Sequence, residues 1–293
     1  MRKRVTLGVV VSGALALSAL AVPAAQADGS DPSYRAAMER GLGGQDGERS
    51  SGKNKSGTAA AAVPDLSYSN YKVAKAIKVG ITNLVSATVS YKLTHPVGFD
   101  IHSEDFDTGP YLYKGDFSSP EFELWGYKAA TCTSTSATTA NCTGKVDIDP
   151  VAELINSDAG KWGGGAAAID YSTGEVSTVG GLGSTLLQRN SKLTVNASPE
   201  PVKKGKTITV TGKLSRANWE TSSYAGYASQ SVKLQFRKRN ASSYTTVKTV
   251  KTNSKGELKT TVTASQDGHF RYAFAGTSTT PAVNATGDYI DVK

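Results

Sequence analysis

Thr207-Ile208-Thr209-Val210-Thr211-Gly212-Lys213-Leu214 alternates residue by residue between polar positions and small or apolar ones. Successive side chains of a pleated chain point to opposite faces, so a period of two marks a strand with one face buried and one wet. The same alternation stands upstream in Leu193/Val195/Ala197 and downstream in Val232/Leu234/Phe236 and Phe270/Tyr272/Phe274. Lys204-Gly205-Lys206, Asn240-Ala241-Ser242-Ser243, Asn253-Ser254-Lys255-Gly256 and Asp267-Gly268 separate these runs. All are rich in residues that favour turns. Strands are therefore expected at 193–197, 207–214, 232–237, 246–251, 258–264, 269–275 and 289–292.

Seven short strands with regular turns in about a hundred residues predict an immunoglobulin-like β-sandwich over residues 191–293. It lacks cysteine, so no inter-sheet disulfide can centre it, and Trp219 is the expected core anchor instead. Weaker strand signals precede it at 77–81, 86–93, 99–102, 111–114, 122–130, 142–148 and 166–171, with a short candidate at 175–179. These define a second sandwich over 64–190, and Gly180-Gly181-Leu182-Gly183-Ser184 is expected to lead toward the junction. The fold class is thus all-β, two tandem immunoglobulin-like sandwiches. The richness in Thr, Ser, Gly and Val agrees with strands and turns rather than helices.

The N-terminus reads as an export signal. Arg2, Lys3 and Arg4 precede an apolar stretch that ends in Pro23 and the small-x-small site Ala25-Gln26-Ala27, so residues 1–27 are expected to be removed. The mature protein is expected to be secreted and extracellular, without membrane insertion. Residues 28–63 read as a flexible leader, because a run such as Gly41-Leu42-Gly43-Gly44-Gln45-Asp46-Gly47 has no hydrophobic period. Within it, 33–40 could form a turn or two of helix, but nothing in the sequence suggests that it packs. Export also places Cys132 and Cys142, the only cysteines, in an oxidising compartment. A disulfide across a hairpin loop is expected from them.

Charge divides the chain. Residues 65–190 carry nine basic and fourteen acidic residues, a net −5, whereas 191–293 carry sixteen and six, a net +10. Lys233, Arg237, Lys238, Arg239, Lys248, Lys251, Lys255 and Lys259 fall mostly at polar-face positions of neighbouring strands. Arg237, Lys238, Arg239, Lys248 and Lys251 are the candidates for binding a polyanion, such as an anionic cell-wall polymer, or an acidic extracellular protein. The other reading is a wet, lysine-guarded sheet face that discourages strand pairing. Nucleic acid is not expected as a partner, given export and no aromatic stacking platform evident among these residues.

In the first half, Asp100, Glu104, Asp105, Asp107 and Asp116 crowd around Thr108-Gly109-Pro110, and Asp147 and Asp149 form a further pair. Hard cations such as Ca²⁺ take six to eight oxygens, commonly from loop carboxylates, so a calcium site is one expectation and a hydrated acidic loop the other. The spacing is not that of an EF-hand. No catalytic set emerges. His95, His102 and His269 lack metal-site spacing, Gly160-Lys161-Trp162-Gly163-Gly164-Gly165 is not a P-loop, and Asp170-Tyr171-Ser172-Thr173-Gly174 lacks the first glycine of a nucleophile elbow. An enzyme is therefore not expected.

Five stretches resemble a family of secreted actinobacterial proteins with immunoglobulin-like domains. They are Asn156-Ser157-Asp158-Ala159-Gly160-Lys161-Trp162, the run 193–206, Leu214-Ser215-Arg216-Ala217-Asn218-Trp219, Tyr244-Thr245-Thr246-Val247-Lys248 and Asp267-Gly268-His269-Phe270-Arg271-Tyr272. The resemblance covers roughly 63–293. Members of that family are often described as calcium-binding proteins, which implies a calcium-binding or structural secreted module. No ligand residues carry over from it, since no site motif of the family matches these positions.

Overall fold

Each run of alternating residues needs a partner surface for its apolar side, and the computed structural model shows how the chain supplies it. The structure describes residues 33–42 and 65–293. The expected signal peptide and most of the leader lie outside them. Strand content dominates throughout, as the alternation requires.

The first sandwich pairs two sheets. One is ordered β1 (Ser67–Val73), β3 (Val85–Thr94), β7 (Thr139–Ile148), β6 (Thr131–Ser136). The other is ordered β2 (Ala76–Val79), β9 (Glu175–Arg189), β8 (Gly160–Asp170), β4 (Phe106–Asp116), β5 (Ser119–Trp125). All neighbours are antiparallel except β2 and β9, which run parallel. Val89, Tyr91 and Leu93 of β3 face Leu112, Leu124, Trp162 and Leu187 of the opposite sheet in one buried core. Cys132 and Cys142 stand directly opposite in the β6–β7 register and are joined as the expected disulfide.

The second sandwich is built around β12 (Thr207–Asn218). Along one edge it pairs with β10 (Ser191–Leu193) and β11 (Asn196–Ser198), and along the other with β13 (Ser223–Gly226) and β16 (Glu257–Thr263). The facing sheet runs β15 (Thr245–Lys251), β14 (Ser231–Lys238), β17 (Gly268–Phe274), with β18 (Val283–Asn284) and β19 (Asp288–Ile290) both on β17. The alternating residues interdigitate as their period demands: Ile208, Val210 and Leu214 pack with Val232, Leu234, Phe270, Tyr272 and Phe274.

Four sequence expectations need correction. Residues 99–102 form no strand. Gly98 takes a positive φ and the Asp100 carboxylate accepts the His102 amide hydrogen at 2.9 Å, so the chain turns there. The glycine-rich 180–184 is no connector but the middle of β9, antiparallel to the equally glycine-rich β8. Aromatic rings occupy the room their missing side chains leave. A Cβ on Gly163 would lie 2.2 Å from the Tyr113 ring, and one on Gly165 2.5 Å from Tyr111.

The other two corrections concern packing. Ser33–Gly41 forms a helix, α1, which does pack. Tyr34, Ala37 and Met38 are buried against Tyr111, Tyr113, Trp125, Ala167 and Ile169, a cluster separate from the main core of the sandwich. Arg35 of α1 bonds Glu153 and lies 5.2 Å from the Tyr127 ring. Trp219 anchors a core, but the wrong one: it sits at 2% exposure with Ala217 in the core of the first sandwich. Strand β12 overruns its own sandwich, so its last residues reach the neighbour's interior.

Candidate binding face

Strand β14 turns Val232, Leu234 and Phe236 inward, which leaves Lys233, Gln235 and Arg237 outward. Strand β17 does the same with Phe270, Tyr272 and Phe274, leaving His269, Arg271 and Ala273 outside. The register then sets Arg237 beside His269, Gln235 beside Arg271 and Lys233 beside Ala273. From β19, Tyr289 stands beside His269, and from β15 Thr249 and Lys251 join the same face.

Two tyrosines organise these cations. Tyr244, in the turn before β15, has the Arg271 guanidinium carbon 3.9 Å and the Arg237 one 5.3 Å from its ring centre. The two guanidinium carbons therefore lie no more than about 9.2 Å apart. Tyr289 meets the His269 ring at 5.2 Å and has Arg239 at 6.0 Å. Arg271 Nε donates to Gln235 Oε1 at 2.9 Å and Arg237 donates to the Ala241 carbonyl at 2.7 Å, which fixes both forks. Among the described residues neither guanidinium is bonded to a carboxylate. Gly287 leaves room for this ring, since a Cβ would fall 2.3 Å from the Tyr244 hydroxyl. Burial, with Arg237 next, lowers the His269 pKa below 6.5, and Asp288 opposes the shift.

The five basic candidates separate. Arg237 and Lys251 belong to this face, Lys238 and Arg239 lie at its end, and Lys248 reaches across the sandwich edge to the Thr261 carbonyl at 3.5 Å. Arg271, His269, Tyr244 and Tyr289 were missed. The alternation of β17 together with its register on β14 would have found the first two. Aromatic rings do stand among the cations, contrary to the expectation, although Tyr244 is already engaged by two guanidiniums.

The acidic candidates do not meet. Asp107 and Asp116 occupy opposite ends of β4, nine residues apart along an extended strand, hence about 30 Å. Asp100 caps the His102 amide, Asp107 accepts from the Tyr171 hydroxyl at 2.8 Å, and Asp116 accepts from Ser118. Those Ser118 bonds hold the exposed Asp116 carboxyl below its ordinary pKa. Asp105 and Glu104 stay in the loop before β4. Asp147 is buried and accepts from Ser86 and from the Tyr127 amide, while Asp149 caps Val151 and Ala152. Among the described residues no three Asp, Glu, His or Cys side chains are grouped to hold a metal ion. Asp100, Glu104, Asp105, Asp107 and Asp116 thus do not fit one calcium site.

Four of the five stretches that carry the family resemblance map to two places. Asn156 and Trp219 meet: the Asn156 amide donates to Asn218 Oδ1 at 2.9 Å and to Glu220, and its oxygen accepts the Trp219 amide hydrogen at 3.1 Å. Trp219 Nε1 donates to the Gly80 carbonyl at 2.9 Å. These two stretches clasp one sandwich to the other. The stretches containing Tyr244, His269 and Arg271 form the cationic face instead.

The fold defines an all-β protein of tandem immunoglobulin-like sandwiches. No protein-family model matches the chain, and no curated protein matches it. Among solved structures it is similar to a marsupial T cell receptor, at 11% identity over 78% of this chain and 73% of that one, with a TM-score of 0.35. It is also similar to fibronectin(III)-like modules of Clostridium thermocellum CbhA, at 9% identity over 76% and 92%, TM-score 0.29. A third similar structure is the Yersinia pseudotuberculosis adhesin InvE, at 12% identity over 75% and 58%, TM-score 0.25. Among the described residues no helix is long and apolar enough to cross a membrane.

Proposed function

We propose that this is a secreted, non-catalytic binding protein that holds an anionic cell-envelope polymer on the outer face of its second sandwich. One observation carries the reading: Arg237 and Arg271 share Tyr244, are fixed by their own hydrogen bonds, and have no carboxylate partner among the described residues. Guanidiniums held against an aromatic ring and by a single hydrogen bond each keep other N–H groups for phosphate, sulfate or carboxylate oxygens, and they surrender little entropy on binding. The net +10 of residues 191–293 adds long-range attraction. The hydroxyl-bearing Thr246 and Thr249 and the cations Lys233 and Lys251 extend the same face.

The test is retention of the full chain on a sulfated polysaccharide matrix through a salt gradient. Screening at a Debye length of about 8 Å near physiological salt makes such retention strongly salt-dependent. Arg271→Ala and Tyr244→Ala are expected to elute at clearly lower salt than wild type, and Lys248→Ala to shift less. Equal elution of all four proteins would overturn the assignment of the face.

A further inference from the structure

Charges taken out of water in a protein are normally paired with an opposite charge, and the seam between the two sandwiches departs from this at two arginines. Arg189 ends β9, and Arg216 stands opposite Ser191 in the β10–β12 register, so the two enter the seam from different strands. Both meet the turn closed by the Thr277 amide on the Thr280 carbonyl at 2.8 Å. The Arg189 amide donates to the Thr279 carbonyl at 3.0 Å, and Arg216 Nη1 donates to the Thr279 and Thr280 hydroxyls at 3.4 and 3.1 Å. Arg189 Nε donates to the Ala217 carbonyl at 2.6 Å, and the Arg216 guanidinium carbon lies 3.8 Å from the centre of the Tyr227 ring. Two forks are thus held in place by carbonyls, hydroxyls and a ring, none of which carries a negative charge.

Among the described residues neither side chain forms an ion pair, and both Nη groups of Arg189 and the Nε and Nη2 groups of Arg216 lack an acceptor. Those nitrogens are not sealed in, so solvent reaches them. Glu220 pulls on Arg189 without pairing with it, since that exposed carboxylate accepts from Asn156 at 2.6 Å. Burial first, then the like charge of Arg216, lowers the Arg189 pKa to about 10, and burial lowers that of Arg216. Both stay cationic at neutral pH and repel each other. Guanidinium forks with open N–H groups match the oxygens of a tetrahedral anion, and such an anion would neutralise the repulsion. We propose that Arg189, Arg216 and the hydroxyls of the Thr277–Thr280 turn form an oxyanion site in the seam, which takes free inorganic phosphate or sulfate as the counter-ion of the arginine pair. The site is separate from the Arg237–Tyr244–Arg271 face and does not rest on it. An ion held there joins β9 of the first sandwich to β12 and the 277–280 turn of the second, so its binding stabilises the joint.

The experiment follows the melting temperature of the full chain as millimolar phosphate or sulfate replaces chloride at constant ionic strength. The proteins are wild type, Arg216→Gln and Arg271→Ala. An ion that binds only the folded state raises the midpoint with the logarithm of its concentration above the dissociation constant, whereas general salting-out needs far higher concentrations. Wild type and Arg271→Ala are expected to gain a few degrees, and Arg216→Gln to stay flat. A flat wild type, or an equal gain in Arg216→Gln, would overturn the site. A gain lost in Arg271→Ala and kept in Arg216→Gln would place the ion on the outer face of the second sandwich and overturn it as well. Should Arg216→Gln not fold, the wild type alone decides. Modification by the arginine reagent phenylglyoxal, mapped by mass spectrometry, is expected to slow several-fold at Arg216 in phosphate and to be unchanged at the exposed Arg239. Equal rates at Arg216 with and without phosphate would exclude an ion bound there.

Discussion

His269 is where the charge of the binding face can change. It sits between Arg237 of β14 and Tyr289 of β19, with Asp288 beside it, and it titrates below the ordinary 6.5 because burial and Arg237 disfavour its charged form. At neutral pH it is therefore uncharged. Unliganded, the fold carries a stability contribution that is complete above pH 6.5 and declines as pH falls from there toward the lowered folded pKa. A bound polyanion acts in the opposite sense and favours the imidazolium. Retention on a sulfated matrix, whose own charge is constant over this range, is thus expected to move to higher salt as pH drops from 7.5 to 5.5. His269→Gln is expected to lose most of that increment while keeping its retention at pH 7.5. Identical pH increments in the two proteins would exclude His269 as the source.

At the scale of elements, legibility follows the range of the forces involved. Strands β12, β14 and β17 were readable because alternation is written into neighbouring residues and needs only a sheet to face. Of β8 and β9 the parts at 166–171 and 175–179 were readable but the glycine-rich parts were not, since Gly163 and Gly165 seat the rings of Tyr113 and Tyr111 from another strand, a tertiary fact. Helix α1 was legible as a turn or two of helix but its docking through Tyr34, Ala37 and Met38 was not, because the partner surface is over 70 residues away in sequence. A nine-residue helix has little stability alone, so docking and helicity stand or fall together. Met38→Asp, which places a charge at a fully buried position, is expected to undock α1 and uncover Trp125 beside Tyr111. Trp125, Trp162 and Trp219 are all nearly inaccessible in the wild type. Acrylamide quenching should consequently show a new accessible tryptophan fraction in the variant, with the disulfide-bearing sheet intact by far-UV circular dichroism. Quenching equal to the wild type would mean that α1 contributes no cover.

The whole molecule is held together by the feature least visible in the sequence. Trp219 was expected in the core of the second sandwich and sits in that of the first, because nothing local tells that β12 outruns its own sandwich. The junction is built from both sides: Arg189 Nε donates to the Ala217 carbonyl at 2.6 Å, Gln188 to the Thr277 carbonyl at 2.8 Å, and the Arg189 amide to Thr279 at 3.0 Å. Arg189 is 7% exposed, and burial first, with the like charge of Arg216 next, lowers its pKa to about 10 against the opposing pull of Glu220. Such a joint tolerates little relative motion, because loosening it would leave buried polar groups without partners. An acidic and a basic sandwich fixed in one frame present a single oriented charge distribution to a polymer, and a flexible tandem would average it away. Trp219→Ala removes a large side chain from the first core together with its bond to Gly80, a loss of about 3–5 kcal/mol by analogy with other buried aromatic truncations. Scanning calorimetry is expected to show one transition in the wild type and two in this variant, with the first sandwich melting earlier although the substitution lies in the turn that follows strand β12 of the second. A single transition retained in Trp219→Ala, displaced by only a degree or two, would show that the clasp does not couple the sandwiches.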